Sequence, residues 1–315
     1  MGRTSIALLA DQSLSLHADA ESWPLVRPWL PLNCDAAPDE PEARARISIE
    51  PVHSEPGARR PNTPSALHLG QVHLWLDEDD GTALLCGATR SVGRIDLVGL
   101  EAQLDVDLGA GSLAQQDLYS MLTLSSALLL GRIGRTLIHA AAFATPDGRS
   151  WLIVGDGGSG KSTTCIGLAR DGNQLLSDDQ VVLSTVHHGV TVEGWVRPLH
   201  LDEGWEAGVP TGRRRTVEPS DLGLALSQRV GNVVGTLHTA VAAEQPTSVV
   251  PISAAKAFAG LVRQAPWLLV DRDVAESIVA LLSEAARLPS YALSLGLDTY
   301  GRRPKLRALL DSALA

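Results

Sequence analysis

Apolar positions change period along this chain of 315 residues. In the first third they alternate. Leu67, Leu69, Val72, Leu74 and Leu76 lead to the turn Asp79-Asp80-Gly81, and Ala83 to Cys86 returns as a partner strand. That period of two is the mark of half-buried strands. Ser5 to Ala10, Arg46 to Ile49, Arg94 to Val98 and Ala102 to Leu108 predict further short strands. A tryptophan-bearing segment, Trp23 to Trp29, is punctuated by Pro24, Pro28 and Pro31. Prolines recur among charged residues from Ala36 to Pro64, which reads mostly as linker or extended loop. Residues 1–112 are expected to form a β-rich N-terminal domain with a Pro-rich linker and no identifiable chemistry.

The pattern then turns helical. Leu113 to Leu130 predicts a helix with Ser112 as its N-cap, and Leu118, Met121, Leu122, Ser125, Leu128 and Leu129 share one broad face. A strand over Thr136 to Phe143, the turn Pro146-Asp147-Gly148 and a buried strand over Trp151 to Val154 follow. A helix-like run, Thr163 to Arg170, ends at Asp171-Gly172, where Gly172 suits a left-handed cap. Leu175 to Leu183 is the next strand region. A strand pair brackets His187-His188-Gly189, a turn to which no role is assigned. An arm from Arg197 to Val209 carries Pro198 and leads through Pro210 to Arg213-Arg214-Arg215. Strands at Val233 to Thr239, Thr247 to Pro251 and Tyr291 to Leu295 are expected, as are helices at Ser253 to Gln264, Asp271 to Arg287 and from Pro304 onward. Residues 113–315 therefore predict an α/β domain, with no internal repeat.

Composition narrows the function classes. An apolar content of 44% supports a sizeable core. The net charge of −10, from 36 acids against 26 bases, disfavours nucleic acid and anionic membranes as partners. Cys34, Cys86 and Cys165 are isolated and read as small core residues of a reducing compartment. The N-terminus carries no secretory pattern, and the apolar stretch Leu118 to Leu130 is too short to span a bilayer. A cytoplasmic protein is expected, and homo-oligomerisation is left open.

The chemistry gathers after Val154. Gly155-Asp156-Gly157-Gly158-Ser159-Gly160-Lys161-Ser162 fits G-x-x-x-x-G-K-[ST] at every specified position, followed by Thr163 and the helix-like run. Polyphosphate oxygens need inward-pointing N–H groups, and glycines supply the positive φ values of such a nest. The next helix aims its own amides at the same anion. Lys161 can reach the β/γ-phosphates and Ser162 can ligate Mg²⁺. Binding of a nucleoside triphosphate is the expectation.

Asp178 and Asp179 lie seventeen and eighteen residues after Lys161, an interval that fits one helix and a tight turn. The strand bearing them is expected to return beside the Trp151–Val154 strand. Phosphoryl transfer needs a carboxylate for Mg²⁺, and transfer to an alcohol gains from a second that takes the hydroxyl proton. A solvated turn pair is the bland alternative. His139, on the strand ahead of the glycine-rich loop, either pairs with an acid or is a hydrogen-bonded core histidine. Arg213, Arg214 and Arg215 either contact phosphate or an acidic substrate, or form a solvated charge run.

Together these residues resemble the HPr kinase/phosphorylase family, and more closely its kinase-like relatives in bacterial peptide-modification gene clusters, including those acting on lasso-peptide precursors. The resemblance rests on Leu137-Ile138-His139-Ala140-Ala141-Ala142, on Gly155 to Ser162 and on Leu175-Leu176-Ser177-Asp178-Asp179. Gln264-Ala265-Pro266-Trp267 and Leu288 to Leu293 add to it, so that it covers about residues 113–312. It implies a nucleotide-binding core of the HPr kinase/PEP carboxykinase-like type and an ATP-dependent serine kinase using Mg²⁺. It further implies that one carboxylate of Asp178-Asp179 activates the substrate hydroxyl while the other helps hold metal, with His139 close by; Asp178 is taken as the base and Asp179 as the metal partner, and the reverse assignment stays open. Three features depart from the family: Thr163 stands where HPr kinases usually carry Glu, their late Arg-Gly- and Ile-rich segment has no clear counterpart, and the N-terminal region has no obvious match to theirs.

The expected activity is transfer of the γ-phosphate of ATP to a serine of a peptide or small protein, such as a peptide natural-product precursor. A kinase of a small-molecule alcohol and a non-catalytic ATP-responsive binding protein are the alternatives.

Overall fold

The computed structural model describes residues 3–32, 43–52, 60–186, 189–205, 207–227 and 230–300, with Leu306, Ala308 and Leu310. Cys34, His187 and His188 lie outside the described residues, as do much of the expected linker and most of the expected terminal helix. The chain forms two units: residues 1–137 with 266–278, and residues 138–265 with 279–315. Both are mixed α/β. Among the described residues no helix is long and apolar enough to cross a membrane.

The first unit is built on an eight-stranded sheet. Its strands are β1 (Arg3–Ala7), β2 (Leu14–Asp19), β3 (Ala45–Pro51), β4 (Leu67–Leu69), β5 (Val72–Asp77), β6 (Thr82–Cys86), β7 (Val92–Asp96) and β8 (Glu101–Val106). Their spatial order is β1-β2-β3-β8-β7-β6-β5-β4. The expected run from Leu67 to Leu76 is two strands, because Gly70 takes φ +57° and turns the chain so that Leu69 faces Val72. A strand that sequence periodicity did not isolate, β2, pairs in parallel with β3. A one-turn helix, α1 (Trp23–Val26), lies on the crossover between them.

The long helix α2 (Ser112–Arg132) packs on β3, β5 and β8. Ser112 is its first helical residue and does not cap it. Gly111, at φ +56°, holds the N-cap position with no side-chain bond. Nor is one face alone buried: Leu124, Ala127 and Leu130 are as buried as Leu118, Met121 and Leu128. The reason is a second layer. The segment Pro266–Ile278 covers the helix away from the sheet, with the Arg132 guanidinium on both carboxylate oxygens of Asp271 (2.6 and 2.9 Å). Trp267 Nε1–H donates to the Leu137 carbonyl at 2.9 Å. From Asp117 to Gly131 no residue of the helix is exposed, so its apolar residues are not confined to one stripe.

The chain crosses into the second unit through the strand β9 (Arg135–Ile138). The further strands are β10 (Ala141–Ala144), β11 (Arg149–Val154), β12 (Gln174–Ser177), β13 (Val181–Val186), β14 (Gly189–Gly194), β15 (Leu199–Asp202), β16 (Arg214–Val217), β17 (Val230–Val241), β18 (Ser248–Pro251) and β19 (Ser290–Leu295). The helices are α3 (Lys161–Arg170), α4 (Ala254–Arg263) and the part of α5 (Arg272–Arg287) that follows Ile278. The main sheet runs β12-β10-β11-β17-β14-β13, with β19 also paired to β17 and β18 to β19. β15 and β16 form a separate two-stranded sheet.

Two expectations are corrected here. The strand over Thr136 to Phe143 is broken at His139 and Ala140, because the His139 N–H leaves the ladder to donate to the Gln264 carbonyl at 2.9 Å. The strand carrying Asp178 and Asp179 does not return beside β11. The turn at Pro146–Gly148 folds β10 antiparallel onto β11, with Ala144 facing Ser150, so β12 pairs with β10 instead.

Leu124→Ala, which empties a fully buried position on α2, is expected to cost about 2–5 kcal/mol of unfolding free energy. Urea denaturation checks it.

Candidate functional site

The buried strand β11 ends at Val154, and the chain runs into the glycine-rich loop before entering α3 at Lys161. Gly158 and Gly160 adopt φ of +78° and +93°, left-handed conformations that L side chains rarely take and that a phosphate-binding nest would require. Gly160 is doubly constrained, since a Cβ there would sit 2.4 Å from Leu295 Cδ1. Gly155 admits no side chain either, because a Cβ would stand 2.7 Å from the Thr239 carbonyl oxygen. The loop is tied to β17 through Ser159 Oγ and Thr239 Oγ1 at 3.0 Å. The left-handed Gly172 (φ +95°) closes α3, as expected.

Lys161 is buried, and its ammonium folds back to donate to the carbonyls of Gly155 (2.8 Å) and Asp156 (3.1 Å). Burial lowers its pKa, against the pull of Asp179, Asp156 and Asp178. Its hydrogen-bond partners are neutral carbonyls, and a polyphosphate oxygen would be a stronger one.

Asp178 and Asp179 occupy the turn between β12 and β13. Ser177 builds this turn. Its hydroxyl accepts from the amides of Asp179 (3.4 Å) and Gln180 (3.3 Å) and donates to the Trp195 carbonyl at 3.1 Å. Because the pair lies on a turn, the two carboxylates escape the opposite-face rule of a strand. Asp178 is buried beneath Ser162, whose hydroxyl donates to the Asp178 carbonyl at 3.4 Å and hydrogen-bonds its side chain. Burial, then repulsion from Asp179, pushes its pKa up to about 7.

Asp179 meets the opposite fate. Burial alone would raise it, but a hydrogen bond from His139 and the charge of Arg197 hold it well below the usual carboxylate range. His139 Nε2 stands 3.1 Å from Asp179 Oδ1, and the Arg197 guanidinium grips Oδ2. Of the two readings of His139, the acid partner is the one observed. The break in the expected strand is what turns it there.

Asp179, His139, Lys161, Ser162, Gly157, Gly158 and Gly160 line one wall of a cavity of about 500 Å³, a size suited to small ligands. The β15–β16 hairpin contributes His200, Asp202 and Arg214, while Trp205, Leu297 and Tyr300 are among its apolar and aromatic lining. Of the three clustered arginines only Arg214 reaches this lining. Arg213 and Arg215, its neighbours along the strand, are exposed away from it.

Sequence reasoning gave no role to three groups. Arg197 is the cation that makes the acid pair tolerable. Its signal was a lone arginine in the run Trp195-Val196-Arg197-Pro198, where burial demands a partner. Gln264 donates to Asp156 Oδ1 at 3.2 Å while its carbonyl accepts from His139. Trp205 is buried with the Arg170 guanidinium 4.9 Å above its ring. No periodicity announces either of these.

Among the described residues no three His, Cys, Asp or Glu side chains gather into a metal cage. Ser162 Oγ and the two carboxylates are hard oxygen donors of the kind that hold Mg²⁺ when phosphate and water complete its shell.

No protein-family model matches the chain, and a search of curated proteins returns no match. Among solved structures, the Hpr(Ser) kinase/phosphatase from Coxiella burnetii aligns with a TM-score of 0.33 and 14% identity, over 56% of this chain and 95% of that one.

Gly160→Ala is expected to destabilise the fold, because the added carbon meets Leu295 and the residue must keep a positive φ. A lowered melting temperature in thermal denaturation checks it.

Proposed function

We propose that this chain is an ATP-dependent kinase that transfers the γ-phosphate to a serine hydroxyl of a peptide or small protein. The reading is carried by one observation: a lysine-bearing glycine-rich loop faces two carboxylates whose environments drive their pKa values apart. Such a split separates the work of a proton acceptor from that of a fixed charge. ATP would lie with its phosphates in the concavity at Gly155–Thr163, against Lys161 and the N-terminus of α3. Ser162 and Asp179 would hold Mg²⁺, which neutralises charge on the β- and γ-phosphates.

In the transfer, the serine oxygen forms a bond to the γ-phosphorus as the bond from that phosphorus to the β,γ-bridging oxygen breaks. ADP leaves. The serine proton passes to Asp178, whose pKa near 7 lets it accept at neutral pH and release afterwards. Asp179, kept ionised by Arg197 and His139, supplies permanent negative charge at the cavity wall. Catalysis then consists mainly of positioning and charge neutralisation.

The pH profile tests the base. Asp178 accepts only when deprotonated, so kcat should rise with pH through about 7 and level off above it. Asp178→Asn should cost about 10²–10⁴-fold in kcat and remove that limb, while ATP affinity changes little. Equal loss of turnover and binding would instead make Asp178 a binding residue. Lys161→Ala should abolish transfer. These outcomes are read by mass spectrometry of serine peptides incubated with ATP and Mg²⁺, where one added phosphate marks the product. ATP binding with transfer to no peptide would favour a small-molecule alcohol as acceptor, or a non-catalytic ATP-responsive role.

A further inference from the structure

The β15–β16 hairpin is more than a wall of the cavity. Its turn is fastened by Asp202, whose carboxylate accepts from the amides of Gly204 (2.9 Å), Thr211 (3.0 Å) and Gly212 (2.7 Å). Those bonds also lower the Asp202 pKa to about 2, the Thr211 amide contributing most. The Glu203 N–H donates to the Arg213 carbonyl at 2.9 Å, and the register pairs Leu201 with Arg215 and Leu199 with Val217. Hydrogen-bonded rungs of an antiparallel pair fall on alternate residues. The main-chain groups of Arg214 and Thr216 therefore face away from β15. The sheet has two strands, so among the described residues that outer edge is unpaired.

Residues 211–216 are all exposed. Leu199, Leu201 and Val217 anchor the hairpin on its inner face, while Arg214 shares the cavity lining with His200 and Asp202. A charged edge strand often serves only to discourage aggregation. That role does not call for an arginine on the wall of the cavity that holds Lys161 and Asp179.

We propose that the outer edge of β16 is the dock for the acceptor peptide. An extended acidic segment pairs with the main chain of Arg214 and Thr216 and turns its serine toward the cavity, with the carboxylates beside that serine meeting Arg213. This rests on the kinase reading above and deepens it by naming the acceptor as an extended peptide with acidic residues next to the serine. Main-chain bonds supply affinity in strand addition, and alternate side chains supply specificity. Alternation puts the serine on one side of the added strand and its flanking residues on the other. The Asp202-fastened turn presets the edge, which lowers the ordering cost of binding.

Three labelled peptides test the dock against the full chain with ATP and Mg²⁺. One has a serine flanked by aspartates, one has lysines in their place, and one is the aspartate peptide N-methylated on its flanking amides. Fluorescence anisotropy reads binding and mass spectrometry reads phosphate transfer. The aspartate peptide should bind on the order of tenfold tighter than the lysine peptide. N-methylation should weaken it comparably, and Arg213→Glu should invert the aspartate–lysine order. Equal binding of the first two peptides, binding of neither, or an unchanged order in Arg213→Glu overturns the dock. Acid-preferring binding without transfer leaves the dock standing and removes the kinase reading. Transfer without acid preference does the reverse.

Discussion

Two carboxylates on adjacent residues of a buried turn repel each other, and desolvation penalises each alone. The site depends on how that conflict is resolved. Arg197, brought in from the segment after β14, grips one oxygen of Asp179, and His139 takes the other. With one acid fixed as an anion, the other carries the burden of burial, and Asp178 is left near neutrality in pKa. The His139 hydrogen bond and the Arg197 charge together keep Asp179 ionised, and removing Arg197 would weaken the compensation of a largely buried charge.

The architecture serves this arrangement from several directions. β11 delivers the glycine-rich loop, and its neighbour β17 steadies that loop through Thr239. The β10–β11 hairpin interposes β10 between the loop strand and β12, and the bulge where β10 pairs with β12 sits at Ala142 and Phe143, just ahead of the acid turn. Ser177 then shapes the turn itself. Gln264, at the end of α4, binds both the amide of His139 and the carboxylate of Asp156, so it links the histidine that pairs with the acids to the loop that would receive phosphate.

Much of this was legible as local pattern. The glycine spacing, Lys161, Ser162 and the left-handed cap at Gly172 are consequences of backbone geometry that few other residues can satisfy. The alternation in β3, β5 and β8 follows from sheets with one face buried. Less legible was anything set by partners distant in sequence. The strand break at His139 depends on a carbonyl at Gln264, 125 residues on, and no run of apolar residues encodes it. The all-round burial of α2 depends on residues 266–278, which return to cover it after most of the second unit has been built.

Spacing along the chain is enough to mark the phosphate-loop candidate, the acid pair one helix later, and the α/β character of the second unit. Each is a matter of local spacing, where steric and hydrogen-bonding rules act over a few residues. Only contacts across the fold set which acid has its pKa raised and which is held low, which arginine lines the cavity, and which strand edge is left open. Those outcomes depend on burial and on charges that meet across the fold. Desolvation and Coulomb energies are functions of distance in space, and distance along the chain carries almost none of that information.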